Sequence, residues 1–127
     1  MSDMRTPLAR VRGLGSARDG TDHFWRQRLT AVANVPLILF FIGFLVSING
    51  ADYQTVRSAL GSPLVALTMM AVIISALYHM KLGMQVIIED YIHGEALKVT
   101  LIMLNIFFAF AVGIASIFAL LKLAFGG

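Results

Sequence analysis

Three long stretches of apolar residues dominate the chain after residue 28. Residues 29–48 and 99–121 contain no charged side chain, and residues 63–88 are interrupted only by His79 and Lys81. These stretches contain 20, 23 and 26 residues in that order, and a helix needs about 20 residues to cross a hydrocarbon core of about 30 Å. Apolar and polar positions do not alternate as they would in a barrel strand. The pattern predicts an all-α integral membrane protein with three transmembrane helices.

Composition supports this division of the chain. The sequence is 58% hydrophobic with a mean hydropathy of +0.82, and no segment outside the three stretches could build a water-soluble core. We therefore expect a basic N-terminal segment, residues 1–28, followed by a membrane domain, residues 29–127.

The distribution of basic residues predicts the orientation in the membrane. The loop at 49–62 holds one basic residue, Arg57, whereas six precede the first apolar stretch: Arg5, Arg10, Arg12, Arg18, Arg26 and Arg28. The positive-inside rule then places the N-terminus in the cytoplasm. Three crossings place the turn at 89–98 on the same side and the C-terminus outside. An Arg-rich transit peptide is the alternative for the N-terminal segment, although three aspartates interrupt it.

Local signals predict details of the three helices. Ser62 and Pro63 suit the cap and first turn of the second helix, and Pro36 predicts a kink in the first. Asn34 is either an interhelical hydrogen-bonding residue or a donor near a cofactor. Small residues in the third helix predict a close-packing face for another helix: Ala109, Ala111, Gly113, Ala115 and Ala119.

His79 is the strongest candidate for chemistry because an imidazole within a membrane helix is costly unless it is used. At 100° per residue, Ser75, Gly83 and Asp90 lie within about 40° of His79 around the helix. Small residues on either side of the imidazole would let a flat, bulky group such as haem lie against the helix. A structural hydrogen bond to a neighbouring helix is the alternative.

The remaining candidates for ligation are weaker. His23 and His93 lie in polar segments, where solvation accounts for a histidine. Lys81 either extends to the headgroups or reaches a haem propionate. The chain has no cysteine, which excludes covalent haem attachment and cysteine-ligated iron–sulfur clusters.

The second helix ends at a tyrosine that either anchors the membrane interface or binds a ligand such as a quinone. Tyr91 follows His79 by 12 residues, about 18 Å along a continuous helix. Trp25, Arg26 and Arg28 approach the same membrane surface from the first helix. A quinone needs an apolar route for its tail, a donor for its carbonyl and access to protons. From these residues alone, an interfacial tyrosine without such a role is the favoured interpretation.

The chain resembles the small, D-type hydrophobic membrane anchor subunits of succinate dehydrogenase, respiratory complex II. The pattern His79-x3-Gly83-x6-Asp90-Tyr91 carries the resemblance, together with the segment GTDHFWRQRLTA at 20–31. The similarity extends from about residue 20 to the C-terminus. It implies a fold that forms part of a larger anchor helix bundle.

The resemblance also implies roles for individual residues. His79 corresponds to an axial ligand of haem b, whose second ligand comes from the larger cytochrome b556 anchor subunit. Tyr91 corresponds to the residue that hydrogen-bonds a carbonyl of ubiquinone, with Asp90 beside it and Trp25 at the rim. Arg28 is expected to pair with a haem propionate.

The implied function is that of a membrane anchor of succinate:ubiquinone oxidoreductase in the tricarboxylic acid cycle and respiratory electron transport. The flavoprotein and iron–sulfur subunits would carry the FAD and clusters, and this chain has no residues for succinate chemistry. We expect a multi-pass protein of the bacterial inner membrane with the catalytic subunits on the cytoplasmic side. Its other contacts are lipid and ubiquinone, with no nucleic acid. The alternatives are an anchor of a fumarate reductase, a purely structural assembly subunit, and a small transporter or channel subunit.

Overall fold

Every regular element in the part of the chain that the structure describes is a helix. The computed structural model describes residues 6–13 and 19–125. Their elements are α1 (Pro7–Val11), α2 (Asp19–Ser47), α3 (Tyr53–Gly61), α4 (Pro63–Tyr91) and α5 (Glu95–Ala124). Three of them, α2 from Thr21 onward, α4 and α5, are long and apolar enough to cross a membrane. The predicted all-α architecture with three transmembrane helices is confirmed.

The central helix of the domain is α4. It packs against α2 on one side and α5 on the other, and the short α3 contacts both α4 and α5. Going along α2, Thr30 contacts His79 and the later Asn34 contacts the earlier Ser75, so α2 and α4 are antiparallel. The N-terminal end of α2 and the C-terminal end of α4 therefore lie at the same end of the domain.

The helices extend beyond the apolar stretches that predicted them. α2 begins ten residues before position 29, and α5 begins at Glu95. Polar side chains at a helix end can reach water while the backbone stays hydrogen-bonded, so a helix need not stop where its apolar stretch stops.

The connection at 49–62 is more ordered than the loop that the sequence predicted, because it contains α3. Gly50, at φ 76°, reverses the chain after α2. Asp52 then caps α3, its Oδ1 accepting a hydrogen bond of 3.0 Å from the backbone N–H of Thr55. Hydrogen bonds from the side chain and the backbone of Thr55 hold the pKa of Asp52 below its ordinary value.

α4 begins at the residue that the sequence predicted, but the Ser62 side chain does not cap it. Pro63 is the first helical residue, yet the Ser62 side chain makes no capping hydrogen bond. Instead the backbone N–H of Ser62 donates to the carbonyl of Ala59 and closes α3. α2 continues through Pro36 without interruption.

Few side chains are buried within the single chain. The buried cluster of Met69, Val72 and Leu120 lies towards the end of the domain where α3 sits. α5 approaches α4 closely at Gly113, where an added Cβ would lie 3.3 Å from Leu77 Cδ1. Of the small residues on the expected packing face, Ala109 and Gly113 are half-buried. The other three are exposed, so a helix packed against them stays a prediction: Ala111, Ala115 and Ala119.

Candidate functional site

His79 lies on α4 and faces α2. Its Nδ1 is 3.0 Å from Oγ1 of Thr30, and the ring is half-buried between the two helices. The Thr30 hydroxyl is also 2.9 Å from the carbonyl oxygen of Arg26 and 3.1 Å from that of Gln27. Within the described residues, no hydrogen bond involves the other ring nitrogen of His79, Nε2. The structure therefore fixes one side of the imidazole and leaves a nitrogen for another partner.

A groove of about 450 Å³ lies beside the His79 ring on the outer face of α2. Its wall is mainly apolar and comes from a single stripe of α2. The lining residues are Ala31, Asn34, Val35, Ile38, Leu39 and His79. The arrangement suits a flat apolar group that approaches the imidazole from outside the chain.

The small residues beside His79 serve a different purpose from the one that the sequence suggested. An added Cβ at Gly83 would lie 3.4 Å from Nε2 of Gln27, so this glycine lets α2 approach closely. Ser75 donates a hydrogen bond of 2.7 Å from Oγ to Oδ1 of Asn34. Both positions thus pack against α2, and the space for a flat group lies in the groove instead.

Asn34 forms the predicted interhelical hydrogen bond. It is buried, with 8% of its surface exposed, and it is the one buried polar residue among those described. Its Oδ1 accepts a hydrogen bond from Ser75 on α4, which confirms the structural interpretation, and the residue also lines the groove.

Arg28 lies on the same stripe of α2 as the groove. It precedes Ala31 by three residues and Val35 by seven, which places the three side chains on one helix face. Its guanidinium carbon is 4.9 Å from the centre of the Phe24 ring, a cation–π distance. Arg28 is exposed and so presents a positive charge at one end of the groove.

Tyr91 and Asp90 end α4 and are both exposed, with 75% of the tyrosine accessible. Trp25 is also exposed, and its ring meets Phe24 edge-on at 5.9 Å between centroids. In the described part of the chain, no hydrogen bond or ring contact joins Tyr91 to Trp25. The predicted quinone residues therefore share an end of the domain without forming a closed pocket on this chain.

The helix register explains the separation of Tyr91 from Trp25. Thr30 lies opposite His79, and Gln27 lies opposite Gly83. Since α2 and α4 are antiparallel, Trp25 is level with about residue 85 of α4. Tyr91 is then about 9 Å farther along the helix axis, at 1.5 Å per residue.

A polar cluster on another face of α4 was not predicted. Arg26 donates a hydrogen bond of 3.3 Å to the hydroxyl of Tyr78 and forms an ion pair with Asp22. The ammonium of Lys81 lies 5.6 Å from the centre of the Tyr78 ring. These side chains line a pocket of about 210 Å³ that His23 also borders. Lys81 therefore turns away from the His79 groove, against the suggestion that it reaches a propionate there.

Comparison with known proteins defines the family. The family described as succinate dehydrogenase/fumarate reductase transmembrane subunit matches residues 2–120. The chain belongs to this family. It is 35% identical over 100 residues to the succinate dehydrogenase hydrophobic membrane anchor subunit of Rickettsia bellii, covering 79% of this chain and 80% of that one. The same subunit of Paracoccus denitrificans is 31% identical over 121 residues, covering 95% and 93%.

A third relative gives the same answer. The succinate dehydrogenase membrane anchor subunit of Reclinomonas americana is 32% identical over 90 residues, which cover 68% of this chain and 75% of that one. The predicted membership in the succinate dehydrogenase anchor family is confirmed, and with it a membrane role beside other subunits. The orientation, the haem ligand and the quinone residues stay predictions.

Proposed function

We propose that this chain is one of two membrane anchors of a succinate:ubiquinone oxidoreductase, where it binds half of a haem b and forms part of the ubiquinone-reduction site. Family membership supports the anchor role. One observation carries the cofactor role: the imidazole of His79 borders an apolar groove, with Nδ1 already hydrogen-bonded and Nε2 without a partner among the described residues.

The side chains around the groove fit a haem b that is bound without covalent attachment. His79 would supply one axial ligand, Arg28 would pair with a propionate, and the apolar side chains of α2 would contact the macrocycle. When bound, the haem supplies a one-electron carrier within the membrane. No second histidine lines the groove, so the other axial ligand would come from the cytochrome b556 anchor subunit.

The quinone role rests on the exposed C-terminal end of α4. The phenol of Tyr91 would donate a hydrogen bond to a carbonyl oxygen of ubiquinone, with Asp90 beside it and Trp25 at the rim. Because Tyr91 is 75% exposed and makes no closed pocket here, other subunits would complete the walls. This chain would hold and orient the quinone.

The same end of the domain would dock the catalytic subunits. It carries Arg26 and Arg28 near the start of α2 together with the end of α4, and we place it on the cytoplasmic side of a bacterial inner membrane. The flavoprotein subunit would oxidise succinate with FAD, and the iron–sulfur subunit would pass the electrons to ubiquinone. This chain adds no group to the succinate chemistry itself.

Replacing His79 tests the cofactor role. In the purified complex, His79→Ala should lose or shift the low-spin b-type absorption spectrum while the chain stays in the membrane, because only the axial bond is removed. His93→Ala is the matched control, since His93 is exposed in the turn between α4 and α5. An unchanged spectrum and reduction potential in His79→Ala would overturn the assignment. A wild-type complex without a b-type band would leave a purely structural anchor.

Fumarate reduction is the second candidate for the whole enzyme, because the matching family includes fumarate reductase subunits. The named relatives are succinate dehydrogenase subunits, which favours succinate oxidation. Membranes that contain the complex should reduce ubiquinone with succinate faster than they reduce fumarate with a quinol. The opposite ratio would assign the reverse direction.

A further inference from the structure

We propose that Thr30 is a positioning residue for His79. Its hydroxyl oxygen accepts a hydrogen bond from the Nδ1–H of His79. This bond fixes the tautomer in which Nε2 keeps a lone pair that can bind a metal. The proposal rests on the proposed role of His79 as a haem ligand. His79, the proposed ligand, lies on α4, whereas Thr30 lies on α2. Thr30 acts on the iron through its hydrogen bond to His79.

The direction of the Thr30–His79 hydrogen bond follows from the contacts of the hydroxyl. A threonine hydroxyl has one proton, and a backbone carbonyl can only accept. Oγ1 lies within hydrogen-bonding distance of the carbonyls of Arg26 and Gln27, at 2.9 and 3.1 Å. If the proton pointed to His79 instead, two carbonyl oxygens would face the lone pairs of Oγ1 at these distances. The hydroxyl proton of Thr30 therefore points to the helix carbonyls, and Nδ1 of His79 must be the donor.

The tautomer decides whether His79 can bind a metal. A neutral imidazole carries one proton, so an Nδ1–H leaves Nε2 as a lone pair. The reverse tautomer would place an N–H beside a mainly apolar groove and could not ligate iron. Metal-binding histidines generally donate their other N–H to an acceptor that fixes the ring and raises its basicity. Thr30 supplies such an acceptor here.

Neighbouring contacts hold Thr30 in place. The Ser75–Asn34 hydrogen bond of 2.7 Å ties α2 to α4 about one turn away from Thr30 and His79. On the other side, Gly83 admits Gln27 at close range. Because the Thr30 hydroxyl is hydrogen-bonded to the Arg26 and Gln27 carbonyls of its own helix, its oxygen is fixed relative to the imidazole. The ring of His79 is thus oriented by rigid elements on both sides of the contact.

Removal of the acceptor should change the electronic character of the ligand. An imidazole whose N–H is hydrogen-bonded is a stronger electron donor and stabilises ferric iron more than ferrous iron. Thr30→Val has nearly the same shape but no oxygen, so the reduction potential of the haem should become more positive. Haem should also dissociate on the order of tenfold faster, as metal does when a supporting hydrogen bond is lost. Thr30→Ser keeps the oxygen and should restore both properties.

The test is a redox titration of the intact complex in membranes, with electron paramagnetic resonance of the ferric haem and the rate of haem loss. Thr68→Val is the matched control, because the Thr68 hydroxyl donates to the Leu64 carbonyl on α4 at 2.8 Å and contacts no imidazole. Potential, g-values and haem loss should change in Thr30→Val and stay at wild-type values in Thr30→Ser and Thr68→Val. Wild-type values of all three in Thr30→Val would overturn the proposal.

Two further variants separate the possible failures. If Thr30→Val does not assemble, Thr30→Ala replaces it, and equal potentials in Thr30→Ala and Thr30→Ser would also overturn the proposal. If His79→Ala retains the wild-type haem, the haem role of His79 is wrong and the Thr30 proposal is lost with it. If His79→Ala loses the haem but Thr30→Val is unchanged, only the positioning role is wrong.

Discussion

Tyr91→Phe tests the quinone site and spares the fold. The phenol is 75% exposed at the last residue of α4, so removing its oxygen deletes no contact that holds the described helices together. Assembly and haem content should therefore stay at wild-type levels. Only a hydrogen bond to an external group would be lost, and this isolates the proposed contact with ubiquinone.

The expected loss of activity follows from the strength of that hydrogen bond. A neutral hydrogen bond contributes about 1 kcal/mol, which would slow quinone reduction about fivefold. The carbonyl oxygen gains electron density as the quinone is reduced, so a bond that tightens in the transition state would slow it tens-fold or more. Succinate oxidation with a soluble artificial acceptor should be unchanged, since that acceptor bypasses the membrane site.

Tyr53→Phe is the matched control for this measurement. Tyr53 is also exposed, at 64%, but it begins α3 at the opposite end of the domain. Succinate–quinone reductase activity should fall in Tyr91→Phe and remain unchanged in Tyr53→Phe. Wild-type quinone reduction and inhibitor sensitivity in Tyr91→Phe would refute the reasoning and make Tyr91 an interfacial anchor.

Two further predictions concern the membrane topology and the α2–α4 contact. A cysteine introduced at Gln54 should react with an impermeant thiol reagent from the outer side, and one at Gly94 from the cytoplasmic side; labelling of both from one side would contradict three crossings. Ser75→Ala should destabilise the complex by about 1–2 kcal/mol because the buried Oδ1 of Asn34 loses its donor. Denaturation midpoints should fall in Ser75→Ala but not in the control Ser58→Ala, and equal midpoints would show that the hydrogen bond adds no stability.

The transmembrane helices could be predicted from sequence because lipid allows few alternatives. An uncharged stretch of membrane length can satisfy its backbone only as a helix or a closed barrel, and the pattern lacked strand alternation. α3 was missed because nine residues of mixed polarity give no such signal. The cues for it were local: Gly50 for the reversal and Asp52 for the cap.

The sequence could predict the candidate site only where a single residue is unusual in its surroundings. His79 stands out because its polarity conflicts with its surroundings. Thr30 does not, since a threonine in a membrane helix ordinarily bonds its own backbone, and its contact with His79 depends on how α2 and α4 align. The prediction that Ser75 and Gly83 make room for a flat group was wrong for the same reason, because it also depends on how α2 and α4 align. Small residues indicate that something packs closely, but their spacing does not say whether it is a helix or a cofactor.

The distribution of interhelical hydrogen bonds has a consequence for the order of biogenesis. Among the residues that the structure describes, side-chain hydrogen bonds join α2 to α4 at three pairs: Arg26–Tyr78, Thr30–His79 and Asn34–Ser75. All six residues precede α5, so a ribosome has synthesised the whole set before the last span emerges. Because lipid tails are as apolar as the helix surfaces, these polar contacts, together with close packing at Gly83, can pair the first two spans. The candidate ligand would then be oriented in a nascent hairpin, ready for a partner subunit before translation ends.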